Sequence, residues 1–217
     1  MIAKTEKGSA MERLAIILIC FGYLTFGSVY AVISGQRAFD YDNEAVLFVL
    51  GLEVAFGAAA LLLLRQRGWS RRDIGFEVSR GSTAGALGLL FGTNIVCGVA
   101  YLILSASTDL MRGWETAPVR FTAAPALMLL FLIVNSLFEE IFVVGYLIEA
   151  SPAGEAFFAV SVSALVRLLY HTYQGPLAIA TILPLGLIFA AVYLRWRNLW
   201  PLVLAHTVMN VAGWAAG

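Results

Sequence analysis

The sequence predicts an all-α protein, a polytopic transmembrane helical bundle of about seven helices, with six to eight compatible with the pattern. Three observations carry this expectation. Of 217 residues, 60% are hydrophobic and 13% are charged, whereas a soluble domain has about a quarter of its residues charged. Mean hydropathy is +0.85. The apolar residues also gather in runs close to the roughly 20 residues that cross a bilayer as a helix rising about 1.5 Å per residue. Formal net charge is zero, so no basic balance points to nucleic acid. The length suits a single integral membrane domain over residues 1–217, with little room for a soluble one.

Taken in order, the candidate spans lie at about 14–33, 45–64, 83–104, 123–148, 156–172, 177–194 and 201–216. The first follows a short charged tail, but its apolar core is too long for a signal peptide and shows no small-residue cleavage site, so it reads as an uncleaved anchor. Cys20 and Cys97 sit inside apolar runs and read as membrane-buried thiols, not as a disulfide or a zinc knuckle. After the second span, "WSRRDIGFEV" reads as a cytoplasmic interfacial loop with an aromatic anchor. Gly81, Gly85, Gly88 and Gly92 include small-xxx-small spacing, expected to serve close helix packing. The fourth span is long enough to tilt or break. Pro184 is expected to kink the sixth.

Lys and Arg set the expected orientation, because cytoplasmic loops carry their excess. In a seven-helix arrangement Lys4, Lys7 and Arg13, then Arg65, Arg67, Arg71, Arg72 and Arg80, then Arg195 and Arg197 all fall on one side. The other side holds Arg37, Arg112 and Arg120 beside Asp40, Asp42, Glu44, Asp109 and Glu115. The N-terminus is therefore expected in the cytoplasm and the C-terminus outside, in a bacterial inner membrane. Trp69, Trp114, Trp196, Trp200 and Trp214 fall at or beyond span ends, where aromatic belts form.

Ionisable groups inside a membrane are costly unless paired or hydrated, so they mark the place to look for function. The set is small: Glu53, Glu139, Glu140, Arg167, His171 and His206, with the amides Asn94, Asn135 and Asn210. Asn135 precedes Glu139 by one helical turn, Arg167 and His171 are i,i+4, and so are His206 and Asn210; each pair shares a helix face. By helical rise, Glu139 and Asn210 lie roughly 15 and 14 Å from the cytoplasmic side, and His171 roughly 22 Å. A carboxylate beside an imidazole in a low-dielectric cavity can act as general base on water. A second imidazole and an amide on one face can donate to a developing oxyanion. That is a kit for water-driven amide hydrolysis without a serine or cysteine nucleophile. The same residue types could also hold zinc, although H-E-x-x-H is absent. Neighbouring helical residues diverge by roughly 100°, so only one of Glu139 and Glu140 is expected to face a given cavity. Tyr146, Tyr170 and Tyr173 read as packing or interface residues.

"EE" followed by "GYL", then "YHTYQGP", then "HTVMN" resembles the CPBP family, the CAAX-protease and bacteriocin-processing (Abi) membrane proteins that include the Rce1-type prenyl endopeptidases. The resemblance covers about residues 135–212, within a motif-bearing core of about 123–217. It implies an intramembrane endopeptidase in which Glu139 activates water with help from His171, while His206 and Asn210 form the oxyanion site. It implies a membrane-associated peptide or protein substrate (a leader, a lipidated tail or a C-terminal anchor), the lipid bilayer as the other partner, and no cofactor, with zinc as the alternative. Two positions depart from the family pattern: an expected Arg is Val144, and an expected Phe is Arg167. Arg167 is therefore expected to replace the missing cation and pair with Glu140, which would otherwise be a buried carboxylate without a partner. The competing readings are a non-catalytic immunity or scaffold protein of the same family, and a transporter.

Overall fold

In a computed structural model, residues 7–36, 39–107, 119–152 and 154–216 are described. Among the described residues the bundle is helical apart from one two-stranded parallel sheet. In chain order the elements are α1 (Ala10–Ile33), β1 (Phe39–Tyr41), α2 (Asn43–Gln66), α3 (Arg71–Ile74), α4 (Arg80–Ser107), β2 (Val119–Phe121), α5 (Pro125–Glu139), a π-helical turn (Glu140–Tyr146), α6 (Leu147–Glu149), α7 (Ala156–Tyr170), α8 (Pro176–Ala180), α9 (Ile182–Trp196) and α10 (Trp200–Ala216). In lipid, helices satisfy their own backbone groups, and the starts carry the expected signals: Ser9 and Asp42 cap α1 and α2, and Pro125 opens α5.

All seven expected spans are helical. Five are long and apolar enough to cross a membrane, with α5 to α6 and α8 to α9 each counted as one; α7 and α10 are shorter. The α5–α6 segment is central. Its most apolar window is 56% buried, against 17–39% for the other four, and α5 packs on α2 and α10 while α7 packs on α1 and α9. The outer faces present Phe26, Leu62, Phe91, Ile95 and Phe157, as a lipid-facing surface requires.

The fourth span runs without a gap from α5 to α6 through the π-helical turn. Three local expectations are corrected. The sixth breaks at Thr181, three residues before Pro184, because the proline cannot donate to the preceding turn and so sits in the first turn of α9. Trp69 is not an interface anchor. It is buried, its indole donating to Glu12 at 2.8 Å beside the Tyr146 hydroxyl at 3.0 Å and Arg67 at 3.2 Å. The loop that follows it folds into α3, where Asp73 accepts from the backbone and side chain of Ser70. The glycine stripe does not pack: a Cβ at Gly85, Gly88 or Gly92 would meet nothing within 4 Å, and the stripe lines an open groove shared with Ile188 and Val192.

The two ends of the bundle differ. Lys7 pairs with Asp73 at 2.7 Å, Arg13 donates to the Ala150 carbonyl at 2.7 Å, and Leu199 donates to the Gly75 carbonyl at 3.0 Å. These contacts bring the cations at the start of α1, the end of α2, α3, the start of α4 and the end of α9 to one end. At the other end β1 pairs with β2, Asp40 opposite Arg120, and Ser28 meets Thr172 at 2.8 Å. Lys4, Arg37, Asp109, Arg112, Trp114 and Glu115 lie outside the described residues.

Gly75 has φ 64°, a left-handed conformation, and a Cβ there would collide with the Arg197 carbonyl. Gly75→Ala is expected to cost about 1–3 kcal/mol, read as a lower thermal midpoint in detergent. Gly88→Ala is expected to change stability by less than about 1 kcal/mol. A close-packed glycine stripe would reverse that ranking.

Candidate active site

The central helix delivers two carboxylates into the interior. Glu139 ends α5 and Glu140 begins the π-helical turn; both are buried, at 3% and 0% exposure. π-helical insertions change the rotation of a helix face and recur at functional sites. Arg167 of α7 lies against both carboxylates. Its NH2 group is 2.7 Å from Glu140 Oε1 and its NH1 group 3.3 Å from Glu139 Oε2. The ion pair between Arg167 and Glu140 that the missing arginine called for is present in the geometry. Val144 meanwhile packs into an apolar cluster with Ile148, Leu185 and Phe189.

Arg167 is itself only 1% exposed. Its stem crosses Gly186 of α9, where a Cβ would lie 3.4 Å from Arg167 Cδ, and its guanidinium lies 5.9 Å from the centre of the Phe189 ring. The absence of a side chain at Gly186 lets the guanidinium pass between α7 and α9.

The remaining residues gather around this core. His206 Nδ1 is 2.7 Å from Glu140 Oε1, so that oxygen accepts from both His206 and Arg167. Asn135 donates to Glu139 at 3.2 Å and to Glu53 at 2.7 Å. Asn210 donates to Asn135 at 3.3 Å and to Ser136 at 3.2 Å. His171, just past the end of α7, has Nδ1 2.9 Å from the Arg167 carbonyl. A carbonyl only accepts, so that nitrogen carries the proton and Nε2 keeps its lone pair.

Glu139, Asn135, Arg167, His171, His206 and Asn210 all line one cavity of about 1190 Å³. Glu140 is not among its lining residues. The adjacent carboxylates thus divide as helix geometry expects, one toward the cavity and one toward the cation. His171 shares the cavity with Glu139, but the group hydrogen-bonded to that carboxylate is its neighbour Tyr170, whose hydroxyl donates to Oε2 at 2.7 Å. Tyr170, read from sequence as packing, is a member of the site, and the aromatic stack with Phe21 at 5.0 Å shows why it also fits a packing role. Glu53 is the other addition: 3% exposed, lining the cavity and joined to Glu139 through Asn135. Its signal was its charge inside α2. Among the described residues, no group of three or more His, Cys, Asp or Glu is placed to hold a metal ion.

The fold and this interior cluster define a polytopic membrane protein with an ionisable site built into its helices. Residues 121–212 match the model of a family described as Rce1-like, type II CAAX prenyl endopeptidase Rce1-like, so that part of the chain is similar to this family. The match takes in the three motif-bearing segments and leaves out α2 with Glu53. Neither the curated proteins nor the solved structures searched gave a match. By that description the matched family is one of endopeptidases.

Arg167→Ala leaves Glu140 facing a histidine alone, and breaking a buried pair from one side costs about 3–5 kcal/mol. Glu140→Gln in the same chain is expected to restore part of that stability, giving a coupling of about 0.5–3 kcal/mol in a double-mutant cycle of unfolding in detergent. Additive losses would show that the two side chains do not act on each other.

Proposed function

We propose that the protein is an intramembrane endopeptidase that hydrolyses a peptide bond of a membrane-associated substrate with a Glu139-activated water and without a cofactor. The observation that carries this reading is one cavity whose lining includes the carboxylates of Glu53 and Glu139, two imidazoles and the amides of Asn135 and Asn210, within a chain whose 121–212 segment matches a protease family. The substrate is a leader, a lipidated tail or a C-terminal anchor. We place the N-terminus in the cytoplasm of a bacterium, with the protein in its inner membrane.

In this mechanism Glu139 receives the proton of the attacking water. Arg167 and Tyr170 occupy its Oε2 and fix its plane, leaving Oε1, bonded to Asn135, as the working oxygen. His171 Nε2 offers a second lone pair to the same water. As the water oxygen bonds to the substrate carbonyl carbon, charge develops on the carbonyl oxygen, and preorganised donors stabilise it. Asn210, whose amide donates to Asn135 and Ser136, turns one of these N–H groups to that oxygen. His206, with Nδ1 donating to Glu140, supplies Nε2–H when it is an imidazolium paired with that carboxylate. The proton held by Glu139 then passes to the departing amine as the C–N bond breaks.

Purified protein and its Glu139→Gln variant, assayed against anchored peptides in detergent, test the reading. The variant is expected to lose at least about 10²–10⁴-fold in rate while keeping its unfolding free energy within about 1 kcal/mol, and a chelator is expected to leave the wild-type rate unchanged. Loss of activity with the chelator would move the mechanism to a metal. Equal activity in the variant would remove Glu139 from the chemistry.

A further inference from the structure

Three buried carboxylates belong to this interior cluster, and they are compensated unequally. Glu140 is met by Arg167 and His206, and Glu139 by Arg167, Tyr170 and Asn135. Glu53, 3% exposed, accepts from the amide of Asn135 at 2.7 Å. Among the described residues no cation is held against it, and its Oε2 is buried without a hydrogen-bond partner. It sits about ten residues into α2, roughly 15 Å along the helix, well inside the span. A buried acid held in this way costs the fold stability, and ionisable residues inside a membrane mark function.

The helix that carries Glu53 is shaped to bring it in. Gly57 stands one turn further along the same face of α2, and a Cβ there would lie 3.3 Å from Cδ2 of Phe138 on α5. The bare backbone lets α2 close on α5 and sets Glu53 against Asn135. That amide is the junction of the site. Its NH2 group has two hydrogens, one directed to Glu53 at 2.7 Å and one to Glu139 Oε1 at 3.2 Å. Its Oδ1 accepts from Asn210 at 3.3 Å. The bond to Glu53 is the shortest of the three. We infer that Glu53 is a positioning residue: by holding the Asn135 amide, it aims the working oxygen of Glu139 and the donor side chain of Asn210 at one substrate carbonyl. This role rests on the peptidase reading and adds to it a residue of α2, outside the matched segment 121–212. Without an acceptor at position 53 the amide is free to turn on its two longer bonds, and the base and the oxyanion donor lose their common reference.

Steady-state kinetics on an anchored peptide in detergent, with a thermal midpoint for each variant, test this role. Glu53→Leu is expected to lower kcat about 10–100-fold, the scale of a small misplacement of reacting groups, with KM kept within about threefold. Its thermal midpoint is expected to be no lower than that of the unsubstituted protein, because an apolar side chain replaces an uncompensated buried acid. Glu53→Gln keeps an oxygen to accept from Asn135 and is expected to recover most of the lost kcat. Asn135→Leu is expected to lose about as much as Glu53→Leu, and the double variant no more than either, since residues that act as a unit are not additive. A raised KM with kcat kept would make Glu53 a substrate contact and overturn the role. Losses that multiply in the double variant overturn it, as does a Glu53→Gln variant as slow as Glu53→Leu. A thermal midpoint that falls in step with the rate makes Glu53 structural and overturns it too. Glu139→Gln in the same assay reports on the peptidase reading alone. If that variant is inactive while Glu53→Leu keeps full rate, only the positioning role falls; if Glu139→Gln and the unsubstituted protein behave alike, both fall.

Discussion

Two carboxylates on consecutive residues of a buried helix persist only if a cation is held against them, and here that cation is Arg167. Isolated charges in a low-dielectric interior cost several kcal/mol each. The guanidinium offsets this by reaching both acids at once, with His206 as a second partner on Glu140 Oε1. The rest of the architecture follows from making room for that side chain. Gly186 removes the obstruction on α9, Phe189 gives the guanidinium a ring to lie against, and α7 runs close to α9 along this seam.

The same central helix joins site and stability. Beyond Glu140 its π-helical turn carries Phe142, Val143, Val144 and Tyr146 into the two apolar clusters that flank it. Gly145 lets Leu199 approach, since a Cβ there would lie 2.9 Å from Leu199 Cδ1. Tyr146 reaches on to Glu12, linking the turn to the cationic end through Trp69 and Arg67. Movement of the turn would disturb the floor of the cavity and the packing of α1, α3 and α10 together.

Much of this was legible in the sequence, for identifiable reasons. Hydropathy fixes where lipid-compatible segments lie, so all seven spans appear near their expected bounds. The cost of an unpaired buried acid made Arg167 stand out once Val144 was seen where a cation belongs. Other features depend on information that spacing does not hold. Tyr170 is apolar enough to pass as packing, and only the approach of α7 to α5 shows its hydroxyl on Glu139. Glu53 comes from a helix outside the motif-bearing segment. Trp69 has the position of a belt residue, yet a buried acceptor, Glu12, draws it inward. The glycines of α4 have the spacing of a packing seam, but no neighbouring helix comes close enough to use it. The three-residue strands are too short to leave an alternating pattern.

Below Glu139 on the central helix, the buried side chains of Phe142 and Val144 lie with Phe189 and Leu202 in an apolar layer. A conduit needs polar groups in continuity from one face to the other, and among the described residues this layer interrupts such a column. On the proposed peptidase function, a polypeptide would reach Glu139 as a free end or as a narrow loop, and its two fragments would leave along the lining that the next arrival needs. Turnover would then be governed by traffic along the cavity as much as by events at the carboxylate.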